Sequence, residues 1–142
     1  MDLEKIRELR ELKKKKEQID EQEKQITTPV VTDISLVKKI YDIFWEILEE
    51  RDFPPRRGSI MQRKKFFFVI ISLYCPSYFI GSKMSKGLRN ELSTLFKYNG
   101  PSTVSDLCHS IVDQYVIYKD LRQDINSIIE EITSRLKDEG YI

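Results

Sequence analysis

The sequence predicts an all-α fold: a compact helical bundle that contains a helix-turn-helix and is preceded by a long charged N-terminal helix. Apolar residues recur at spacings of three and four through most of the chain, which is the period of an amphipathic helix. No segment shows the strict alternation of a strand, and Pro and Gly stand between the periodic segments. At 142 residues and 40% apolar composition, the chain is long enough to bury a core without disulfides or metals.

The N-terminal segment is predicted to be a charged helical extension over residues 1–28, followed by a helical domain over residues 29–142. Glu11 and Lys15 form an opposite-charge pair at helical spacing. Leu12, Ile19 and Ile26 repeat every seven residues, but the positions between them that would complete a coiled-coil seam are polar. The extension is therefore either a solvated helical tail or a helix that docks onto a protein partner or a second copy in a homo-oligomer.

The first helix of the domain is expected to begin after Thr32 or Asp33, since either residue can act as an N-cap, and to run to about Glu50. Consecutive prolines at 54 and 55 exclude helix from the loop that follows. The apolar face of this helix consists of Val37, Ile40, Tyr41, Phe44 and Leu48.

The next helix is predicted over about residues 59–74 and forms the centre of the core. Its second half is apolar on all sides, which is typical of a buried helix. The apolar run of residues 66–80 is interrupted by Pro76 and is shorter than the roughly 20 residues that span a bilayer. We therefore expect no membrane partner.

A short helix, a tight turn and a longer helix come next, and we interpret about residues 84–115 as the helix-turn-helix. The short helix covers residues 86–97, and Asn-Gly-Pro at 99–101 is a strong turn signal. Ser102 is expected to be the N-cap of the longer helix. A last helix ends near Gly140, and its apolar residues are Leu121, Ile125, Ile128, Ile132 and Leu136.

Positive charge is concentrated in the middle of the chain. Residues 51–100 carry ten Lys and Arg, opposed only by Asp52 and Glu91, whereas acidic residues predominate before and after this block. Such a block is the electrostatic footprint expected for phosphate contacts. The alternative is that these are ordinary solvated side chains balanced in space by the acidic last third of the chain.

Two motifs in residues 60–137 resemble the C-terminal DNA-binding domain of the bacterial replication initiator DnaA, which has a Trp-repressor-like helical fold. They are the hydroxyl-rich helix start at residues 100–112 and the acidic, apolar helix at residues 120–136. The sequence differs from that family at 99–101, where basic and histidine residues are replaced, and it carries Asp106 on the second helix of the motif.

The resemblance implies that this second helix lies in the major groove of DNA. Lys83, Lys86 and Arg89 would then hold phosphates, and hydroxyl side chains at the helix start would approach the bases. A carboxylate such as that of Asp106 repels phosphate unless it accepts from a cytosine amino group. Three basic residues at the start of the core helix are added to this set. The predicted DNA-binding residues are therefore Arg63, Lys64, Lys65, Lys83, Lys86, Arg89, Ser102, Thr103 and Ser105.

No catalytic constellation is visible in the sequence. His109 is the single histidine and lies within a predicted helix, and no metal-ligand spacing or phosphate-binding loop occurs. Cys75 and Cys108 form no C-x-x-C pair and are expected to be buried, reduced thiols. We therefore expect a protein without enzymatic activity, catalytic residues, metal or cofactor.

The function that these patterns favour is DNA binding, by a regulator or replication accessory of a bacterium, phage or mobile element. The complete absence of Ala, with abundant Ile, Lys, Asp, Ser and Tyr, is typical of an AT-rich genome. No signal peptide is visible, because charge begins at Asp2, so a cytoplasmic location is expected. The alternative function is a structural or adaptor protein of a phage or mobile element that assembles through its N-terminal helix.

Overall fold

The computed structural model describes all 142 residues and contains helices but no strand, which confirms the all-α prediction. A 3-10 helix at Ile34–Leu36 precedes the second α-helix, and another at Pro76–Ile80 follows the third. The α-helices are α1 (Leu3–Ile26), α2 (Val37–Glu49), α3 (Ile60–Tyr74), α4 (Lys86–Leu95), α5 (Ser102–Ile117) and α6 (Lys119–Asp138).

Helix α3 is the centre of the domain. It packs against α2, α5 and α6, and its second half is buried around the whole circumference, as its continuous apolar sequence predicts. Phe67 and Ile70, for example, are completely buried. Each such side chain stabilises the fold by about 1.5–3 kcal/mol relative to an exposed one.

Helix α6 closes the bundle against α2, α3 and α5 with a stripe of aliphatic side chains. Ion pairs lie along its border with the α2 segment: Arg135 contacts Glu46 and Glu50, at 3.5 and 2.8 Å, and Lys39 contacts Glu139 at 3.5 Å. The glutamates of these pairs are exposed, so each pair contributes little to stability, about 0–1 kcal/mol.

The segment before α2 is tied to the end of α3 by backbone hydrogen bonds. The amides of Val30 and Val31 both donate to the Leu73 carbonyl, at 2.9 and 3.0 Å, and the Tyr74 hydroxyl donates to the Asp33 carbonyl at 2.7 Å. Asp33, rather than Thr32, is the cap, because its carboxylate accepts from the backbone amide of the second residue after it. The cap begins a 3-10 turn, and α2 starts only after that turn.

The predicted extent of the short helix, α4, is two residues too long. The helix ends at Leu95, because Lys97 adopts the left-handed backbone conformation with φ +57°, which a helix cannot contain. The Tyr98 amide then donates to the Ser93 carbonyl at 2.9 Å, and the Ser93 hydroxyl donates to the Gly100 carbonyl at 2.9 Å. These bonds fix the turn between α4 and α5.

The expectation that Ser102 caps α5 is wrong. Pro101 already has helical backbone angles, with φ −76° and ψ −11°, and stands in the cap position, so that Ser102 is the first residue of the helix. The Pro101 carbonyl accepts from the Ser105 amide at 3.1 Å. No side chain caps the start of α5, which leaves the Ser102 hydroxyl free of that role.

Helix α1 carries no buried residue. Asp2 caps its start by accepting a 2.9 Å hydrogen bond from the Lys5 amide, and its 24 residues extend over about 36 Å. The predicted charged N-terminal helix is therefore confirmed as an exposed element. No helix of the chain combines the length and the apolar composition that crossing a membrane requires.

Candidate nucleic-acid interface

Helix α5 has one buried side and one exposed side. Val104, Cys108 and Ile111 anchor it to the core. The opposite side, here called the exposed α5 face, consists of Ser102, Asp106, His109 and Asp113. Since α5 contains no Lys or Arg, any positive charge beside this face must come from neighbouring elements.

The basic side chains at the start of α3 lie along one flank of α5. The Lys64 ammonium donates to the Ser110 hydroxyl at 2.9 Å. The Arg63 guanidinium lies 5.5 Å from the ring centre of Phe96 and 5.9 Å from that of Tyr98, and donates to the Tyr98 hydroxyl at 3.3 Å. Both cations are held at the side of α5 and its preceding turn, and neither pairs with a carboxylate.

The other flank carries the basic side chains around the start of α4. Lys83 and Arg89 line a cavity together with Ser105 of α5, and the exposed Lys86 lies three residues, about one turn, before Arg89 on α4. Ser105 and Ser110 are five residues apart and thus point about 140° apart around α5. The two basic groups therefore stand on opposite sides of the exposed α5 face.

Lys86 lies where a positive charge does not help its own helix. It is the first residue of α4, and Ser85, the cap, accepts a 3.2 Å hydrogen bond from the Leu88 amide. The amino end of a helix carries partial positive charge, so a cation there is mildly destabilising and an anion is favoured. Lys86 and the start of α4 thus both attract anions.

Lys65, in contrast, is used inside the fold. Its ammonium forms a 2.7 Å ion pair with Asp124 of α6, and only 11% of its side chain is exposed. Arg51 contacts the same carboxylate at 2.6 Å. Burial raises the pKa of Asp124, but the hydrogen bonds from Lys65 and Arg51 outweigh it and hold that pKa below its ordinary value. Lys65 therefore leaves the set of predicted DNA-binding residues.

Most of the basic block is not balanced by nearby carboxylates. Only Arg51, Arg57 and Lys65, of its ten Lys and Arg side chains, form ion pairs. The remaining seven have no carboxylate within ion-pair distance. The alternative that the acidic last third neutralises the block thus holds for Arg51 and Lys65, which meet Asp124, while Arg57 pairs with Glu49 of α2.

The three hydroxyl residues at the start of α5 have different environments. Ser102 and Thr103 are exposed. Ser105 is half-buried, its hydroxyl donates to the Pro101 carbonyl at 3.3 Å, and its side faces the cavity. Ser102 and Thr103 are therefore accessible to a large ligand, whereas Ser105 is only partly accessible.

A cavity of about 540 Å³ lies beside α5, and sequence reasoning did not predict it. Three segments contribute its walls: the second 3-10 helix, the region from Gly81 to Arg89, and the side of α5 that carries Ser105 and His109. The rings of Tyr78 and His109 are 5.6 Å apart. Spacings of three and four within α5 place Ser105, Cys108, His109 and Val112 on one side of the helix, but nothing local to the sequence indicates the opposite wall.

Comparisons of the chain with known protein families, with curated proteins and with solved structures found no match. The structure holds no group of three or more His, Cys, Asp and Glu side chains that could bind a metal ion. Function is therefore inferred from the arrangement of the side chains around α5.

Proposed function

We propose that the chain is a non-catalytic DNA-binding protein of the helix-turn-helix class, with α4 as the supporting helix and α5 as the helix that enters the major groove. One observation carries the proposal: basic side chains without carboxylate partners stand on both flanks of the exposed α5 face. Phosphate contacts supply most of the affinity of proteins for DNA, so this arrangement of charge is what binding requires.

The dimensions of DNA explain why two flanks are needed. A major groove about 12 Å wide accepts one α-helix, whose diameter with side chains is about 10–12 Å, and a phosphate backbone then runs along each side. In this arrangement Arg63 and Lys64 contact one backbone. Lys83, Lys86 and Arg89 contact the other, close to the start of α4.

The residues nearest the bases are those at the exposed start of α5. Ser102 and Thr103 are small and accessible, so they can approach base edges without displacing the helix. Asp106 is exposed on the same face, where its carboxylate can accept from the amino group of a cytosine, the usual base partner of a carboxylate in the major groove. The preferred site then contains a cytosine at the position that faces Asp106.

The cellular role proposed with this activity is regulation or replication support in a bacterium, phage or mobile element, within the cytoplasm. The support is the amino-acid composition, which lacks Ala and is typical of a protein encoded by an AT-rich genome. A non-catalytic protein that reads DNA acts by occupying a site, so its effect depends on affinity and on the ratio of specific to non-specific binding.

The proposal is tested by removing one cation from each flank. Lys64→Ala and Lys86→Ala should each weaken binding to a labelled duplex, measured by fluorescence anisotropy, and reduce the slope of log affinity against log salt by about one. Lys38→Ala is the matched control, because Lys38 is exposed on α2 and already paired with Asp42 at 2.9 Å. Unchanged affinity and slope in both flank variants would contradict the proposal.

A second candidate function is assembly through α1, and the observation that favours it is that this long helix buries nothing. Leu9, Leu12, Ile19 and Ile26 lie within an arc of about 100° on the helix, and each is more than half exposed. An amphipathic helix draws most of its stability from tertiary contacts, which α1 lacks within its own chain.

The partner that fits α1 is a second copy of the chain, in antiparallel orientation. Residues 3–16 contain seven basic and three acidic side chains, whereas residues 17–26 contain four acidic and one basic. Antiparallel pairing sets the basic half of each helix against the acidic half of its partner and brings the aliphatic stripes together. The dimer would act as a structural or adaptor unit, or carry two DNA-binding domains.

Sedimentation velocity tests this assembly. Changing Leu12 and Ile19 together to Asn should convert a dimer to a monomer, because polar groups would replace the centre of the apolar stripe. Changing Gln18 and Gln25 together to Asn, on the adjacent solvent side, should leave the dimer intact. A monomeric wild-type chain would rule out self-assembly through α1.

A further inference from the structure

The cavity beside α5 contains a cation that the protein leaves without a partner. Arg89 is half-buried, its Nε atom is inaccessible to solvent, and that atom makes no hydrogen bond. The guanidinium forms no ion pair, although a guanidinium remains charged at any physiological pH. A charge in such a position is normally matched by an anion or by several acceptors.

The rest of the lining limits the charge and shape of what fits. Lys83 adds a second positive charge, and Asp113 on α5 supplies one negative charge without pairing with either cation, so a single negative charge neutralises the site. Phe79, Met84 and Val112 provide an apolar wall. The hydroxyl of Tyr78, another lining residue, is inaccessible to solvent and has no hydrogen-bond partner, so an acceptor reaches it only if the side chain turns toward the cavity.

Burial also fixes the protonation of two groups at this wall. It raises the pKa of Tyr78 to about 12 and that of Cys108 to about 12, so both remain neutral donors at physiological pH. The volume of about 540 Å³ lies within the range of pockets that hold small organic ligands. These groups add no negative charge that would oppose an anion.

We propose that this cavity binds a small organic carboxylate with an apolar, aromatic or aliphatic body. The carboxylate meets the guanidinium of Arg89 and the ammonium of Lys83. The apolar body packs against Phe79, Met84 and Val112. The site shares Arg89 and Lys83 with the proposed phosphate contacts, but it is tested below without DNA, so failure here and failure of DNA binding are distinguishable.

The test is a titration of the full chain, without DNA, followed by amide chemical shifts in NMR. The probes are 3-phenylpropanoate and its neutral counterpart 3-phenylpropanamide. We expect saturable shifts of the amides around the cavity with the carboxylate, and binding of the amide that is weaker by about tenfold, since only the carboxylate forms charge-assisted hydrogen bonds. Shifts elsewhere, no saturation, or equal affinities would overturn the proposal.

Two variants locate the site. Arg89→Gln keeps much of the side-chain volume and removes the charge, and should lower the affinity for the carboxylate about tenfold. Ser82→Trp places a large ring at the exposed rim and should block entry, with the remaining amide spectrum as the check on folding. Arg56→Gln, at an exposed arginine outside the cavity, is the control. Unaltered affinity in both cavity variants would also overturn the proposal.

Discussion

The ammonium of Lys65 donates a 2.7 Å hydrogen bond to the carboxylate of Asp124, and this pair joins the central helix α3 to the closing helix α6. Arg51 donates to the other oxygen of the same carboxylate at 2.6 Å. One acidic side chain is thus the partner of two cations, of which Lys65 is the more deeply buried. The three basic residues at the start of α3 therefore have different roles. Lys65 pairs within the fold, whereas Arg63 and Lys64 lie beside α5 without a carboxylate partner.

Replacing Asp124 with Asn should destabilise the protein by about 2 kcal/mol, because Lys65 and Arg51 lose a charged acceptor. Urea unfolding followed by circular dichroism measures this change. Asp42→Asn is the matched control: Asp42 pairs with Lys38 on the surface, so the expected loss is within about 0.5 kcal/mol. Equal losses of stability in the two variants would show that the pairs of Asp124 contribute no more than an exposed surface pair.

The same carboxylate predicts a specific response to acid. The pKa of Asp124 in the folded protein lies below its ordinary value of 3.8, so its contribution to stability is present above about pH 3.8 and is lost as the pH falls through the folded pKa. The free energy of unfolding of the wild type should therefore fall more steeply in this acidic range than that of Asp124→Asn. Parallel curves for the two proteins would contradict the assignment.

Both cysteine thiols should resist alkylation in the folded protein. Burial raises the pKa of Cys75 to about 11 and that of Cys108 to about 12, so very little thiolate is present at pH 8. Iodoacetamide labelling followed by mass spectrometry should be at least about a hundredfold slower than in denaturant, where the thiols have their ordinary pKa. Labelling of both cysteines at the denatured rate would show that they are accessible.

Phe67 and Phe53 give a direct test of where the core lies. Phe67 is completely buried in α3, whereas 93% of Phe53 is exposed in the proline-containing loop. Phe67→Ala should cost about 3–5 kcal/mol of stability, because it leaves a cavity in the centre of the bundle. Phe53→Ala should change stability by less than about 0.5 kcal/mol in the same thermal or urea experiment.

Local sequence patterns were sufficient to predict the helices. The spacing of apolar residues locates each helix to within a few residues, and the continuous apolar run of α3 identifies the centre of the core. The misplaced ends have local causes: Lys97 adopts a left-handed conformation, and Pro101 takes the cap position expected for Ser102. Both depend on backbone angles that residue type alone does not determine.

Contacts between distant residues could not be read in the same way. Lys65 and Asp124 are 59 residues apart, so nothing near Lys65 distinguishes it from Lys64, its neighbour on the adjacent side of α3. The cavity needs three segments that only the fold brings together, and its unpaired Arg89 looks in the sequence like any other basic residue at the start of a helix. Charge patterns thus predict a basic region but not which cations remain free.

The position of Asp106 in the proposed DNA complex predicts an effect on sequence specificity. Its exposed carboxylate repels phosphate, so Asp106→Asn should bind a random-sequence duplex more tightly than the wild type does. The same variant should lose discrimination between sites that differ at the cytosine facing this position. Competition of labelled and unlabelled duplexes in fluorescence anisotropy measures both effects, and weaker binding to random sequence would contradict the position assigned to Asp106.

The most direct measurement is the affinity of the wild-type chain for a labelled random-sequence duplex at several salt concentrations, by fluorescence anisotropy. Five phosphate-contacting side chains, namely Arg63, Lys64, Lys83, Lys86 and Arg89, predict that log affinity falls with log salt at a slope of about −4.5. Binding with a slope near this value would support α5 and its two basic flanks as a DNA-binding surface. No binding at low salt, or binding that does not change with salt, would contradict it.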